Sequence, residues 1–403
     1  MLEGSRLTEE FDVVIVGAGP AGATLAYRLA SRGFEVLLFE KERFPRYKVC
    51  GGGLTPRAAA LLDLDLSGLI EDEIKRATFT HSGRGPIEVD FERPVAYMLS
   101  RERFDQALVE QAVRAGAVLR EGYQITSVHE EDGSYRVIAD RGEFRGRVVA
   151  GADGVYSVVG RCLGLALDKR AGAAIEYECY PDADSLRSWK SRAAFDYGVV
   201  PYGYGWVFPK ADHLSVGIGT FARGKVGLRG ILAKFVQAQG LAGRGGGPVR
   251  GGDSASGKGS IRGWLLPEGG SVLRWTRGRA LVVGDAAGLV DPFTGEGIFH
   301  ALKSAEFAAQ AIENALARGA GDLAEYGQWL KSEMVPDLWV AHRMSRAVYP
   351  LSHPIHLLLQ INQEAFRRLL QILQGTGRYR DLSASMKRYL ARILKGERTL
   401  ETR

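Results

Sequence analysis

Gly17, Gly19 and Gly22 lie in the run Gly17-Ala18-Gly19-Pro20-Ala21-Gly22, and an acid, Glu40, closes an apolar run further on. At that spacing the first glycine permits a tight turn and the second lets a pyrophosphate approach the backbone. The third lets a helix pack closely on a strand. A helix opening at Pro20 and Ala21 would offer free N–H groups and a positive dipole end to phosphates. Glu40, with Lys41 beside it, stands where a carboxylate accepts hydrogen bonds from ribose hydroxyls. The chemistry is that of a dinucleotide site, and this segment by itself does not choose between NAD and FAD.

Those residues need particular elements to hold them. Phe11 to Val16 (FDVVIV) is a short β-branched run of the kind that forms a buried parallel strand. The pattern ATLAYRLASRG predicts a helix that ends at Gly33, and Glu35 to Phe39 predicts the next strand. Strand, glycines, helix, strand and acid occur in order within about thirty residues, the length of one such unit.

Further turns follow. Ser100 is a candidate N-cap for a helix beginning Arg101-Glu102-Arg103-Phe104-Asp105. The strand Arg147 to Ala150 runs into Gly151-Ala152-Asp153-Gly154. The strand Ala280 to Val283 runs into Gly284-Asp285-Ala286-Ala287-Gly288, and then Pro292, Gly295 and Gly297 open an apolar helix. An NAD-only domain would keep its cofactor contacts in the first half of the chain.

This set resembles the flavin hydroxylase-like superfamily, with a p-hydroxybenzoate hydroxylase-like fold. The resemblance implies FAD as the cofactor, with Arg101 close to the flavin, Asp153 and Gly154 near the dinucleotide and Asp285 on the ribityl chain. Pro292 to Gly297 would run beside the isoalloxazine. Reduced flavin carries negative charge there, and a helix N-terminus stabilises anions. Two more stretches, Lys48-Val49-Cys50-Gly51-Gly52-Gly53-Leu54 and Pro201 to Pro209 (PYGYGWVFP), narrow the likeness. With them, residues 10 to 350 resemble the geranylgeranyl reductase family, whose members saturate isoprenoid double bonds. The resemblance implies a hydrophobic prenyl substrate, and NAD(P)H or another reductant as electron donor.

Tyr204, Trp206 and Phe208 alternate at period two, so on a strand they share one face and form an aromatic wall. The flanking prolines and glycines argue against a plain central strand and for a shaped wall beside a cavity. An isolated alkene has no carbonyl to polarise it. Hydride from the flavin must be matched by a proton on the other carbon, and an aromatic face can stabilise the cationic transition state. Trp206 and Tyr204 suit that role, and Cys50 or a tyrosine is the candidate acid. Cys50 is also placed to reach the flavin, although an inert buried cysteine is the common alternative.

The whole chain sets the frame. Its 403 residues, 45% apolar and 25% charged, are those of an ordinary globular protein of two packed domains. The fold expected is α/β: a Rossmann-like FAD-binding domain with an inserted mixed-sheet substrate domain and C-terminal helices. The FAD domain takes 1–80, 98–165 and 276–320, the substrate domain 81–97 and 166–275, and the helical region 321–403. Cys50, Cys162 and Cys179 are too few for a disulfide scaffold and lack metal-ligand spacing. No basic-then-apolar leader opens the chain, so a cytoplasmic location is expected.

The net charge of +6 is uneven: from Ala341 to Arg403, twelve Lys or Arg face four Asp or Glu. A solvated helical face and a cationic surface against anionic lipid both fit, so peripheral membrane contact is the second expectation. Nothing resembles the aromatic-interleaved platforms that bind nucleic acid. The glycine-rich stretch 240–260 reads as a mobile loop. Two other readings remain on one fold: a flavin monooxygenase or halogenase, and an electron-transfer flavoprotein acting on a quinone.

Overall fold

The computed structural model describes residues 9–241, 260–319 and 321–361, with Leu370, Gly377 and Tyr379. Most of the glycine-rich stretch and most of 362–403 therefore lie outside the described residues.

The first apolar run forms the strand Glu9–Val16, whose residues Val13, Val14 and Ile15 are fully buried. It sits inside an eight-stranded sheet whose main path is Thr276–Arg277, Ala280–Val282, Gly142–Gly151, Glu9–Val16, Val36–Glu40, Val118–Glu121. Glu9–Val16 is parallel to both its neighbours, and the parallel pairing continues to Val118–Glu121 on one side and Ala280–Val282 on the other. The hairpin Ile125–Glu131 and Ser134–Ala139 hangs antiparallel from Gly142–Gly151. Helices Pro20–Ala30, Arg101–Arg114 and Ile298–Arg318 pack together beside this sheet. Parallel strands share one carboxyl edge, so the turns at Gly17, Glu40, Asp153 and Asp285 all emerge there.

The second sheet is mixed, as expected. Its seven strands run Ile261–Pro267, Ala171–Cys179, Leu214–Thr220, Gly203–Pro209, Arg192–Tyr197, Arg76–His81, Arg84–Asp90. All neighbours are antiparallel except Arg192–Tyr197 with Arg76–His81. The break expected after residue 80 thus falls inside a strand, and the chain enters this sheet at Arg76. A small three-stranded sheet, Gly53–Leu54, Ala96–Leu99 and Ile70–Ile74, bridges the layers. Helices Ala324–Trp329, Val335–Val348 and Ser352–Ile361 follow in the C-terminal region.

The flanking prolines and glycines do not keep the aromatic strand out of the interior of the sheet, contrary to expectation. The aromatic strand Gly203–Pro209 is an interior strand, hydrogen-bonded on both sides. Pro201 lies before it, and Pro209 is its last residue, where one missing donor is tolerated. Ser100 does precede the helix at Arg101, but its side chain makes no capping bond. Among the described residues no helix is long and apolar enough to cross a membrane.

Candidate active site

A cavity of about 730 Å³ runs along the carboxyl edge of the first sheet and under the aromatic strand of the second. Its polar end is lined by Gly17, Gly19, Pro20, Ala21, Glu40, Lys41, Arg101, Asp153, Gly154, Asp285, Gly295 and Gly297. Its apolar end is lined by Tyr204, Trp206 and Phe208, joined by Phe79, Phe195 and Tyr197. Cys50 and Gly51 stand between the two. Gly22, Gly284 and Pro292 do not line it. They shape the turns behind it: the amide of Gly284 donates to Ser304 Oγ at 3.0 Å, and Pro292 is buried beside Asp291.

The glycine turn is as tight as its spacing demands. Gly17 adopts φ +99°, and a Cβ on Gly22 would run into the carbonyl of Gly17. At Gly19 a Cβ would meet only Arg46 Nη2, at 3.9 Å, so the backbone there faces open space. Among the described residues no side chain caps the helix at Pro20, which leaves its first-turn N–H groups for an anion. Glu40 is already engaged, accepting the amides of Ala18 at 3.1 Å and Glu42 at 3.2 Å, with Arg46 Nε 3.4 Å away. Asp153 accepts Val158 N–H at 2.6 Å on Oδ2, while its buried Oδ1 has no hydrogen-bond partner among the described residues. A buried carboxylate oxygen left unpaired is costly, and here it belongs to a cavity-lining residue.

The charges around the cavity are not ordinary. Burial raises the pKa of Asp285, opposed by Lys48, Arg101 and Lys169. Burial also lowers the Lys48 ammonium to about 7, against the pull of Asp285, and its Nζ sits 3.0 Å from the centroid of the Trp264 ring. Burial opposes the charge on Arg101, but Asp105 and the Cys50 sulfur beside it raise its pKa above the usual guanidinium value. Its Nε and Nη2 grip Asp105 at 2.7 and 2.9 Å, and Arg46 reaches the same carboxylate at 3.0 Å. Burial would raise Glu296 too, yet Arg57, hydrogen-bonded to it, holds the carboxylate below its ordinary range. Thr55 Oγ1 donates to the other oxygen of Glu296 at 2.6 Å.

The aromatic wall is housed by its neighbours. Trp206 lies opposite Gly217 on the adjacent strand, and a side chain there would overlap the indole. Its Nε1 donates to Ser215 Oγ at 3.2 Å. Trp206 and Phe208 rings stack at 6.1 Å, and Phe195 meets Phe208 edge-on at 5.4 Å. The Tyr204 hydroxyl donates to the carbonyl of Thr294, and burial raises its pKa. That phenol is held by the turn before Gly295.

Residues 10–197 match the FAD binding domain family. Over 75% of this chain and 76% of the other, the protein is 33% identical to the menaquinone reductase of Mycobacterium tuberculosis. It is also 33% identical to digeranylgeranylglycerophospholipid reductase 1 of Methanopyrus kandleri, over 75% of this chain and 82% of that one. The chain belongs to the geranylgeranyl reductase family. In fold, this reductase-family chain matches the crystal structure of a geranylgeranyl bacteriochlorophyll reductase-like protein from Thermoplasma acidophilum. The TM-score is 0.71 at 26% identity, covering 84% of this chain and 88% of that one.

FAD is the cofactor of this reductase-family chain, and the open backbone at Gly19, the uncapped helix and the unpaired Asp153 oxygen are features such a dinucleotide can use. Several participants escaped the sequence reading. Phe79, Phe195 and Tyr197 complete the apolar end from strands that carry no motif. Half-buried Arg57 and buried Glu176 have partners far away in the chain, and Asp105, besides its neighbour Arg101, holds the distant Arg46, so only the folded structure makes these pairs.

Proposed function

We propose that the protein saturates C=C bonds of a prenyl chain by hydride transfer from reduced FAD, with the chain lying along the Tyr204–Trp206–Phe208 wall. The observation carrying this reading is one cavity that joins the FAD-family turns to an aromatic, charge-poor end. Named relatives that act on menaquinone and on digeranylgeranylglycerophospholipids support it. When bound and reduced, FAD supplies the hydride.

The chain's own residues do the rest. Gly17, Gly19, Pro20 and Ala21 would seat the pyrophosphate, with Gly22 shaping the turn behind them, and Glu40 and Lys41 would border the adenosine ribose. Asp153 and Gly154 would meet the dinucleotide, and Asp285, on the turn that Gly284 opens, the ribityl chain. Arg101, Gly295 and Gly297 would border the isoalloxazine, with Pro292 buried behind them. The apolar end excludes water and orients the alkene. The faces of Trp206 and Tyr204 stabilise positive charge that develops on the carbon awaiting its proton. Tyr204 is a poor proton donor, because its hydroxyl is committed to Thr294 and its pKa is raised. Cys50, at the junction of the two ends, is the better-placed acid.

The substrate class also bears on where the protein works. The helix Ser352–Ile361 turns Leu357, Leu358 and Ile361 outward, 48%, 57% and 85% exposed, a surface suited to a lipid interface. The test is anaerobic turnover by dithionite-reduced holoenzyme of geranylgeranyl diphosphate in solution and of a menaquinone in phospholipid vesicles. Mass spectrometry of the products should show the gain of one H₂ per saturated bond, with flavin reoxidation, and the protein should sediment with the vesicles. Holoenzyme that reoxidises with oxygen alone, leaving every prenyl chain unchanged, would refute the reading.

A further inference from the structure

Glu176 stands in the strand Ala171–Cys179, remote in sequence from both motifs, yet the two motifs are joined through its carboxylate. It is 3% exposed. Its Oε1 accepts the Tyr47 hydroxyl at 2.8 Å and the Cys50 amide at 3.1 Å. Its Oε2 accepts Ser215 Oγ at 3.3 Å, and that hydroxyl in turn accepts Trp206 Nε1 at 3.2 Å. On the next residue of the same turn, the carbonyl of Gly51 accepts Lys210 Nζ at 2.8 Å.

Among the described residues every hydrogen bond to Glu176 comes from a donor, the pattern an ionised carboxylate satisfies, although the charge of Glu178 opposes that ionisation. Burial raises its pKa, while the Tyr47 and Cys50 bonds and the charge of Lys210 pull it back. Packing alone would be met by an apolar residue, and a buried acid is tolerated only where its partners are complete. The two elements it ties are also in contact. A Cβ on Gly51 would come within 2.9 Å of Phe208 and 3.2 Å of Trp206 Nε1.

We infer that Glu176 is a positioning residue: it locks the Cys50–Gly51 turn against the Trp206 indole and so sets the gap a prenyl chain must enter. The assignment of substrate rests on the prenyl-reductase reading; the lock itself does not. A shift of about 1 Å at such a junction costs turnover by up to about a hundredfold, so the lock acts through Cys50 and Trp206 without touching the substrate.

The experiment compares wild-type holoenzyme with Glu176→Ala, Glu176→Gln and Ser215→Ala. One readout is the rate of Cys50 alkylation by iodoacetamide, followed peptide by peptide, with exposed Cys162 and buried Cys179 as internal references. The other is kcat and KM for a menaquinone with dithionite-reduced enzyme. In Glu176→Ala, Cys50 should react about tenfold faster while Cys179 is unchanged, and kcat should fall about tenfold or more at full FAD content. Glu176→Gln should restore most of both, since its amide oxygen still accepts Tyr47 and Cys50 and its NH₂ donates to Ser215. Ser215→Ala, which loosens only the indole, should raise KM about threefold and leave Cys50 protected. Unchanged Cys50 reactivity in Glu176→Ala, or a Gln variant as impaired as the Ala variant, overturns the inference. If Glu176→Ala does not fold, an unaltered KM in Ser215→Ala and an unprotected Cys50 in Glu176→Gln overturn it. Failure of the wild type to reduce any prenyl chain would instead strike the prenyl-reductase reading, and the alkylation rates would still decide the lock.

Discussion

The two ends of the cavity are built from different materials. The polar end is made largely of backbone: turns at Gly17, Gly19, Gly154 and Gly295 and the open start of a helix. The apolar end is made of side chains, six aromatic rings carried on strands of the second sheet. A backbone site tolerates almost no substitution at its glycines, because any side chain occupies the space the ligand or the next turn needs. A side-chain site can be repacked ring by ring, with binding and turnover changing by degrees. The polar end is therefore the rigid one and the apolar end the adjustable one.

Substitutions on each side should separate the two. The largest effect is expected from Gly22→Ala, whose new methyl meets the Gly17 carbonyl and forces the turn apart. The purified variant should carry no FAD, read from its absorbance near the flavin bands, while the second sheet remains folded by circular dichroism. Retention of stoichiometric FAD would show that the backbone end is softer than its geometry implies.

Next comes Arg57→Met, which strands the Glu296 carboxylate, 13% exposed, at the same end. It should destabilise the protein by about 3 kcal/mol in urea unfolding, the usual cost of breaking a buried pair from one side. The pH dependence has a definite sign. The pKa of Glu296 is depressed from 4.5 in the folded protein, so its contribution is full above 4.5 and is lost as pH falls below that value. In Arg57→Met that acid-side loss should vanish, because the unpaired carboxyl then gains stability on protonation. An unchanged acid limb would remove Glu296 from the account.

The smallest expected effect is at the aromatic end. Trp206→Leu should bind FAD normally yet lower kcat/KM for the prenyl substrate about thirtyfold, or about 2 kcal/mol of transition-state stabilisation. If it loses FAD instead, the division between the two ends is wrong.

The same contrast explains what could be read from the chain. Backbone sites require glycines at fixed offsets, so Gly17 to Gly22, Gly151 to Gly154 and Gly284 to Gly297 announce their turns in one dimension. The strand Gly203–Pro209 was legible as a period-two aromatic run, but its interior place was not, because strand order depends on pairing with Arg192–Tyr197 and Leu214–Thr220. The pairing of Arg76–His81, across the break expected at residue 80, was not legible for a like reason: its parallel partner comes more than a hundred residues later. Glu176 gave no signal at all. In the run Ile175-Glu176-Tyr177-Glu178 both acids alternate with apolar residues, and only the fold buries the first and leaves the second half-exposed.

The path of the backbone between the sheets has a consequence for how this protein is made and cut. The chain enters the second sheet at Arg76, returns to the first by Val118, leaves again at Ala171 and comes back at Thr276. On the ribosome, the early strand Glu9–Val16 has a neighbour in Val36–Glu40 almost at once, but its other neighbour, Gly142–Gly151, waits more than a hundred residues. The strand Ala280–Val282 that extends the sheet beyond it comes later still. Long-range pairing of this kind is slow and leaves apolar edges uncovered during synthesis. No single proteolytic nick can release either sheet as a separable piece, and a fragment ending before residue 280 would lack the strand and turn that complete the polar end of the cavity.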